Sequence, residues 1–426
     1  MNRNGDTMVN GFGLSPQLAA WVDYAYSADQ GFPNIQGNII LPKPLSNHLY
    51  YLFQIEYDTT LWQYGLPRPN ELLLNTIDMN GDSGLGEVIE KNKLIFKDTM
   101  SDAGMTTCRH ANGRDWWLVR NEYLTNCYYT WLITPDSIIG PSKQCIGEKI
   151  IEPTTNSNFK FSPDGNYFAN QYAKDLFHGA LNLFYFDRCT GQFSNPALLD
   201  IPDSATYDAF FFCGVQFSAN SRFLYAINST NIVQFDLDST DIQNSAITVS
   251  KWNYSDTTFA YFGLKSEFAT DGKIYNGGVF CNPALSVIND PDQKGLACNV
   301  TLQSFILPTQ AACGVPDMPN YELGALPGSP CDTLATVATV IADKEVKDLH
   351  IIPNPNDGRF AVSYHLPQNQ QGILTITNTL GKEVYRAIRP QWSSIQPVNL
   401  RGLSEGIYFV TLESNGTSMS AKFVKQ

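Results

Sequence analysis

The chain has 426 residues, of which only 16% are charged, while glycine, proline and aromatic residues are plentiful. This composition suits many short strands joined by turns better than helices with charged outer faces, so we expect a mostly β protein. The segment from Val346 onward holds 8 basic and 5 acidic residues, which leaves 20 basic and 36 acidic residues, a net charge of −16, for residues 1–345. A segment with this negative charge repels the phosphate backbone of nucleic acids, which argues against nucleic-acid binding.

The sequence has no pattern typical of a membrane-spanning helix or of an N-terminal signal peptide. No stretch approaches the ~20 apolar residues of a membrane helix, so we predict no transmembrane segment. The first residues, Met1-Asn2-Arg3-Asn4-Gly5-Asp6, lack the basic and then apolar form of a signal peptide, and turn residues occur there before any strand. We therefore expect that a signal peptide and further structure precede this sequence in the complete protein.

Five strand–turn–strand units follow one another along residues 1–333. In chain order they run from Gly37 to Ile77, from Thr106 to Ile133, from Asn158 to Asp187, from Val215 to Asp236 and from Lys265 to Tyr275. The third has the turn Ser162-Pro163-Asp164-Gly165, and Asp-Gly between apolar runs indicates a hairpin. Corresponding turn residues, Gly113, Gly165, Ser221 and Gly272, lie 52, 56 and 51 residues apart.

A period near fifty residues with several strands per repeat is typical of β-propeller blades. We expect six or seven blades in the complete protein, with the N-terminal residues and Val300–Leu307 supplying strands beyond the five units. The first blade is then incomplete in this sequence.

Nine cysteines, at positions 108, 127, 145, 189, 213, 281, 298, 313 and 331, all precede the C-terminal region, and none forms a CxxC pair. This favours disulfides in an oxidising compartment over a zinc or redox site. Cys281 with Cys298 is the predicted bridge. The alternative is that the cysteines are small buried apolar residues.

A second domain follows residues 334–345, whose Ala/Thr/Val composition predicts a linker. Residues 346–426 alternate strictly between apolar and polar positions, as in Phe360, Val362 and Tyr364, and the Asn415-Gly416 pair marks a hairpin turn. One apolar face per strand predicts two sheets packed as a small β-sandwich.

The C-terminal module resembles the C-terminal sorting domain of proteins exported by the type IX secretion system. The matching residues span the whole module: Pro353, Asn354, Pro355, Gly358, the turn from Leu380 to Val384, Leu400, Leu403, Gly406, Ile407, Tyr408, and the basic tail with Lys422 and Lys425. The resemblance implies export across the outer membrane, with the secretion machinery as a partner and a location outside the cell or on its surface. A plain β-sandwich adhesion domain is the alternative.

Residues from Asn2 to Leu334 resemble an uncharacterised, WD-repeat-like family of secreted propellers. The matching segments are Leu41–Pro44, Gly84–Gly86 with Lys91-Asn92, Arg109–Trp117 and Leu285–Cys298. The resemblance implies a signal peptide and a first blade upstream, and it implies no particular reaction.

Two clusters are candidate binding sites. Arg109, His110, Arg114, Asp115, Trp116 and Trp117 combine charge with aromatic faces, which suits a sugar or an anion. The same residues occupy the position of the Ser162 turn and could hydrogen-bond only within their own blade. Asp78, Asn80 and Asp82 alternate as in a calcium loop, but Ser83 and Ile89 stand where such a loop needs Gly and Glu, and a tight Asn-Gly turn explains them equally.

No catalytic or cofactor motif occurs: HExxH, GxSxG, a Walker loop and a dinucleotide fingerprint are all missing. The leading hypothesis is a secreted or surface-attached propeller that binds an extracellular protein or glycan. The alternatives are an extracellular propeller hydrolase or lyase with its site at the central channel, and a structural adhesion or envelope protein. An enzyme predicts a central pocket with convergent carboxylates and a histidine or cation, whereas a binding protein predicts an exposed aromatic patch on a rim.

Overall fold

The computed structural model describes residues 6–14, 36–63, 66–101, 104–149, 158–173, 179–202, 214–228, 231–251, 265–277, 282–311, 317–332, 349–364, 371–389, 395–414 and 416–426. The predicted linker, residues 334–345, lies outside these ranges, as do Cys213, Cys281 and Cys313.

Five four-stranded antiparallel sheets follow one another along the chain, each with its strands in sequence order. Their strands are β1 (Asn38–Pro42), β2 (Leu49–Gln63), β3 (Leu66–Asp78) and β4 (Glu87–Lys97); β5 (Thr106–Arg109), β6 (Trp116–Asn121), β7 (Cys127–Ile133) and β8 (Ile138–Cys145); β9 (Asn158–Phe161), β10 (Tyr167–Ala173), β11 (Gly179–Asp187) and β12 (Gln192–Asp200); β13 (Gly214–Phe217), β14 (Phe223–Ile227), β15 (Asn231–Asp236) and β16 (Ile247–Lys251); and β17 (Lys265–Phe268), β18 (Ile274–Gly277), β19 (Asn282–Ile288) and β20 (Val300–Ala311). The five predicted units are confirmed, and each has the form of a propeller blade.

Neighbouring sheets pack face to face in chain order, as blades do around a propeller axis. Trp131 of the second sheet packs on Phe96 of the first, with ring centres 5.3 Å apart, and Tyr128 on its other face packs against the third. Further cores join the third sheet to the fourth and the fourth to the fifth. The first strands of the last four sheets, β5, β9, β13 and β17, also contact one another in that order. These strands are called the inner strands below.

The turn between β9 and β10 shows why glycine is needed at the predicted hairpins. The backbone N–H of Gly165 donates to the carbonyl of Ser162 at 2.8 Å, and Gly165 has a φ of +75°. A Cβ there would lie 2.7 Å from the Arg188 side chain and 2.9 Å from Cys108 Sγ. Glycine therefore serves both the turn and the close packing of blades.

Two segments differ from the predicted blade pattern. Val300–Leu307 belongs to β20 and pairs with β19 as the fourth strand of the fifth sheet, so its assignment to a further blade was wrong. Near the N-terminus, Val9 forms a parallel bridge with Glu87 at the start of β4. The total of six or seven blades stays a prediction.

A segment without strands, residues 317–332, crosses the ends of several sheets and is called the strap. Its Tyr321 hydroxyl donates to the carbonyl of Ile40 in the first sheet, and its Asn320 amide donates to the carbonyl of Pro163 in the third. The N–H of Leu326 donates to the carbonyl of Ala111, next to the second sheet. The strap thereby joins blades that are distant in sequence.

Two disulfides occur among the described residues. Cys127–Cys145 links β7 to β8, and Cys189–Cys331 links the turn after β11 to the strap. Of the predicted Cys281–Cys298 bridge, Cys281 lies outside the described residues, and Cys298 is a buried free thiol in the core between the fourth and fifth sheets.

The C-terminal module is a two-sheet β-sandwich, as predicted. One sheet has the order β21-β22-β25 and the other β24-β23-β26-β27. The strands are β21 (His350–Ile352), β22 (Arg359–Ser363), β23 (Gly372–Asn378), β24 (Glu383–Arg389), β25 (Ile395–Asn399), β26 (Gly406–Ser414) and β27 (Thr417–Lys425). Both sheets turn apolar residues into a shared core that contains Phe360, Leu374 and Val410.

Helical structure in the described residues is limited to short turns. They are a one-turn helix, Gly81–Gly84, and two 3₁₀ helices, Gln243–Ser245 and Gly295–Cys298. Within the same residues no helix is long and apolar enough to span a membrane.

Candidate functional site

The tryptophan pair of the first predicted site belongs to the core. Trp116 is fully buried in the core between the first and second sheets, and Trp117 packs between the second and third. The Trp117 indole N–H donates to the carbonyl of Arg188 at 2.8 Å. Because successive side chains of a strand face opposite sides, the two rings stabilise two different interfaces.

The polar residues of that cluster hold their own turn together. Asp115 is buried and accepts hydrogen bonds from Arg114 at 2.6 Å and from the Asn112 amide at 2.8 Å. The ring of His110 accepts from the N–H of Asn112 at 3.0 Å, and its other nitrogen lies 3.1 Å from the carbonyl of Cys189. Three of the six predicted residues thus bond within or beside the turn and the two tryptophans are buried in cores, which leaves Arg109 to be considered below.

The predicted calcium loop has the geometry of a turn. Asp78 accepts a hydrogen bond from the backbone N–H of Asn80 at 2.8 Å, and Asp82 is exposed with a φ of +47°. Across the described part of the chain, no group of three His, Cys, Asp or Glu residues converges on a metal-sized position. Calcium at this loop stays a prediction.

A cavity of about 200 Å³ lies where the inner strands meet the strap. It is mostly apolar, with aromatic rings from Phe161, Phe268 and Tyr321. Its polar lining residues are Thr106, Thr107, Arg109, Lys160, Ser162, Gln216, Glu267, Thr270, Asn320 and Glu322. We call it the inner-strand cavity.

Four of the lining residues occupy equivalent positions in their blades. Cys108, Lys160, Gln216 and Glu267 are each the third residue of an inner strand. The repeat therefore directs one side chain from each of these blades to the same cavity. Since the scaffold is the same at all four positions, their different side chains decide what the cavity can bind.

Lys160 is the central charge of the cavity wall. Its ammonium lies 2.7 Å from a carboxylate oxygen of Glu267 and also pairs with Asp317 at the start of the strap. The side chains of Lys160 and Asp317 are each only 7% exposed. Burial alone would lower the pKa of Lys160, but the attraction of Asp317 and Glu267 outweighs it and raises the pKa.

Glu267 has an altered acidity because two carboxylates share one ammonium. Burial raises its pKa, Lys160 lowers it and Asp317 raises it again, with a net value of about 7. Besides Lys160, the carboxylate accepts a hydrogen bond from the backbone N–H of Met318 at 3.3 Å. Glu267 therefore changes protonation state near neutral pH.

Arg109 connects the cavity to the predicted cluster. Its guanidinium lies 3.7 Å from the centre of the Trp116 ring and donates to the carbonyls of Arg114 and Tyr321 at 3.1 and 3.0 Å. Burial lowers its pKa to about 10, against the opposing influence of Glu322. Of the six predicted ligand residues, only Arg109 lines the cavity.

Three buried polar atoms at or beside the cavity have no hydrogen-bond partner. They are the Thr107 hydroxyl, Nε of Arg109 and Oδ2 of Asp317. Thr107 is 2% exposed and lines the cavity. Buried polar groups are nearly always hydrogen-bonded, so these three atoms are exceptions among the polar groups near the cavity.

Sequence reasoning missed Lys160, Glu267 and Asp317. The sequence does contain a signal for the first two. Lys160 lies between Phe159 and Phe161, and Glu267 precedes Phe268, so each is a charged residue within an apolar strand where the blade fold does not require charge. Aligning the third residue of each inner strand would have shown them. Asp317 lies outside the repeat and had no such sign.

The sequence-predicted sorting residues meet at the last strand of the sandwich. The N–H of Val424 donates to the Asn354 side chain at 3.0 Å, and Asn356 forms a bridge with Lys425. Gly358 has a φ of +93°, and a Cβ there would lie 2.8 Å from the backbone N of Arg401. Tyr408 stacks on Phe423 at 5.4 Å. Pro353-Asn354-Pro355 therefore anchors the C-terminal strand.

The five meander sheets followed by a sandwich define a β-propeller with a C-terminal module. Residues 350–426 match the family described as secretion system C-terminal sorting domain. The module is thus a type IX sorting domain, its partner in export is the type IX secretion machinery, and the protein is delivered to the cell surface or the extracellular space.

Comparison with whole proteins adds little further information. No curated protein matches the chain. Similar solved structures include a Bacteroides fragilis protein provisionally assigned as a 6-phosphogluconolactonase (12% identity, 66% of this chain and 87% of that one, TM-score 0.39). Others are the periplasmic gluconolactonase of Pseudomonas aeruginosa (16%, 62% and 70%, 0.36) and the BP39L lectin of Burkholderia pseudomallei (8%, 93% and 100%, 0.32). At these TM-scores we draw no conclusion about function from them.

Proposed function

We propose that this exported propeller is a binding protein that holds a small polar ligand in the inner-strand cavity. The ligand is one sugar unit of a glycan or one side chain of an extracellular protein. The observation that carries the proposal is a mostly apolar cavity whose wall includes a few polar and charged residues, among them Thr107, Lys160 and Glu267.

The composition and size of the cavity support this function. Ligand sites are typically apolar and aromatic, with a few convergent polar groups that fix orientation, and those for drug-sized ligands have volumes of roughly 300–1,000 Å³. A cavity of about 200 Å³ suits a smaller molecule. Tyr321, which is 37% exposed, offers an aromatic ring at its edge.

The test is a binding screen of glycans and short peptides on the intact protein and on two variants. Ala269→Phe adds a ring to the cavity wall at the turn after β17, and we expect it to abolish binding. Thr107→Val keeps the shape but removes the hydroxyl, and we expect affinity to fall about tenfold, the equivalent of about 1.4 kcal/mol. The control is Ala197→Phe, which changes a half-exposed residue of β12. Binding that survives Ala269→Phe unchanged would place the ligand site elsewhere and defeat the proposal.

A second candidate function is hydrolase or lyase chemistry at the same cavity. It is favoured by Glu267, because a carboxyl with a pKa of about 7 is suited to general acid–base catalysis. Covalent catalysis is less well supported. Burial raises the pKa of the lining Cys108 thiol to about 12, which makes it a poor nucleophile, and Lys160 is held in its charged form.

Turnover assays separate the two candidates. Any sugar or peptide that binds is incubated with the wild type and with Glu267→Gln. Product formation that Glu267→Gln abolishes, without loss of binding, would support the enzyme. Binding without turnover in both proteins would support the binding function.

A further inference from the structure

The charges around the inner-strand cavity are not balanced. Three carboxylates, Glu267, Asp317 and Glu322, lie at or beside it, against two cations, Lys160 and Arg109. Glu322 attracts the Arg109 guanidinium electrostatically. Lys160 forms ion pairs with both of the other carboxylates, Glu267 and Asp317. In the described residues, Glu267 and Asp317 therefore share one cation, Lys160.

Groups behind the cavity wall do not remove this excess. Arg188 and Asp164 lie behind Cys108 and offset each other. On the strand that pairs with β17, the Tyr275 hydroxyl donates to Asp271 at 2.8 Å, and Lys273 next to them donates to Asn289. The excess negative charge is thus located on Glu267 and Asp317, which share the ammonium of Lys160.

The position of this excess charge points to the cavity. Glu267 lines the cavity wall, and Asp317 lies beside it against the same Lys160 ammonium. A buried carboxylate is strongly stabilised by a hydrogen-bonded cation and destabilised by a second anion. When Glu267 is ionised, a positively charged group that enters the cavity would balance the charge and add hydrogen-bond donors.

Building on the proposed function, we infer that the ligand of this cavity carries a protonated primary amine, which it places against Glu267 and Asp317. Such a group occurs on an amino sugar and on a lysine side chain. The net charge of −16 on residues 1–345 favours the approach of such a cation from solution. Thr107 and the aromatic rings remain available for the uncharged part of the ligand.

Calorimetry with matched small molecules tests this inference. The probes are glucosamine, glucose and glucuronate, which present an amine, no charge and a carboxylate on similar rings, and Nα-acetyl-lysine amide as the peptide source. At pH 7.5 we expect one of the two amines to bind at least tenfold more tightly than glucose and glucuronate. Which amine does so identifies the source of the ligand.

Proton release gives a second measurement that needs no variant. At pH 6 Glu267 is largely protonated before binding, and an incoming ammonium displaces that proton to solvent. We expect amine binding to release close to one proton, measured as the slope of the binding enthalpy against the ionisation enthalpy of the buffer. In Glu267→Gln the release should disappear and the preference for amines should fall at least fivefold, while the exposed control Glu383→Gln should behave as wild type.

The outcomes separate this inference from the proposed function. If glucose or glucuronate binds as tightly as the amines and Ala269→Phe abolishes that binding, the cavity is a ligand site but the inference is wrong. If Glu267→Gln keeps the full preference for amines, the inference is also wrong. If none of the probes and none of the screened glycans and peptides binds, both fail.

Discussion

Two ion-pair clusters of the propeller each join a buried charged side chain to two partners of opposite charge, but they differ in the number of cations and in exposure. In the fourth sheet, Asp236 accepts hydrogen bonds from Arg222 at 2.9 Å and from Lys294 at 3.1 Å, so one buried carboxylate has two cations. Beside the cavity, Lys160 serves two carboxylates. Arg222 and Lys294 are 43% and 55% exposed, whereas Lys160 is 7% exposed.

The acidities follow this difference. Hydrogen bonds from Arg222 lower the pKa of Asp236 well below its usual range, although burial opposes the shift. Burial and Asp317 raise the pKa of Glu267 to about 7. Two exposed cations around one carboxylate stabilise its ionised form and so the folded protein. Two buried carboxylates around one cation reduce the stability of the folded protein, an arrangement that is typical of functional sites.

The largest effect is expected from Lys160→Met, which leaves two buried carboxylates without their cation. We expect the free energy of unfolding to fall by about 3–5 kcal/mol at pH 8, measured by urea denaturation. At pH 5 the loss should be smaller, because the carboxyls can take up protons. The matched control is Lys273→Met, whose half-exposed amine bonds only Asn289 in the described structure. A loss at pH 8 no greater than that of the control would show that the cluster is not buried as described.

The next effect concerns the pH dependence that Glu267 gives to stability. Its folded-state pKa of about 7 lies above the ordinary 4.5, so its contribution to stability is fully present below pH 4.5 and is lost as the pH rises through 7. The expected loss is at most about 3 kcal/mol, since one pK unit corresponds to about 1.4 kcal/mol. Glu267→Gln should remove this part of the slope in denaturation curves measured from pH 4.5 to 8. An unchanged slope would contradict the assignment.

Asp236→Asn should have a smaller effect, because Arg222 and Lys294 remain solvated without it. We expect a loss of about 1 kcal/mol at pH 7. The pKa of Asp236 is lowered, so its contribution is present above its ordinary value of 3.8 and is lost as the pH falls. The difference from wild type should therefore shrink below pH 4. The control is Asp238→Asn, which lies 3.3 Å from the same arginine but is 70% exposed.

The smallest effect is expected where a buried polar group carries no charge. The hydroxyl of Tyr408 in the sorting domain donates to the carbonyl of Ser404 at 2.8 Å. Tyr408→Phe keeps the ring on Phe423, and we expect a loss of about 0.5–1 kcal/mol. Hydrogen exchange of the β26 and β27 amides in the full chain measures it, with no pH dependence expected between 5 and 8. A larger loss, or one that varies with pH, would mean that the hydroxyl has a charged partner.

The blades were predictable because their determinants are local. The Asp-Gly turn at Gly165 and the alternating apolar residues around it specify a meander within thirty residues, and the spacing of such turns indicates the repeat. The same holds for the sorting domain, whose motif from Pro353 to Gly358 is continuous in sequence. Strand β20 was assigned to the wrong unit because a regular strand does not indicate which sheet it joins.

The candidate site was predictable only in part. Arg109 was singled out from sequence, but the cavity that it lines requires Lys160, Glu267 and Asp317, which lie 51, 158 and 208 residues further along. The two tryptophans seemed suited to ligand binding, yet they fill the cores on either side of their strand. Cys298 packs in one core with Tyr225 and Ile288, a burial that its sequence position alone does not indicate.

The sequence by itself determined the blade repeat, the second domain and the route of export, since turns, alternation and short motifs act over a few residues. The tertiary structure decided which side chains share a cavity. It brought the third residues of the inner strands together and laid the strap across them. Asp317 is placed beside Lys160 by long-range contacts that no local pattern encodes, and that contact sets the charge of the cavity.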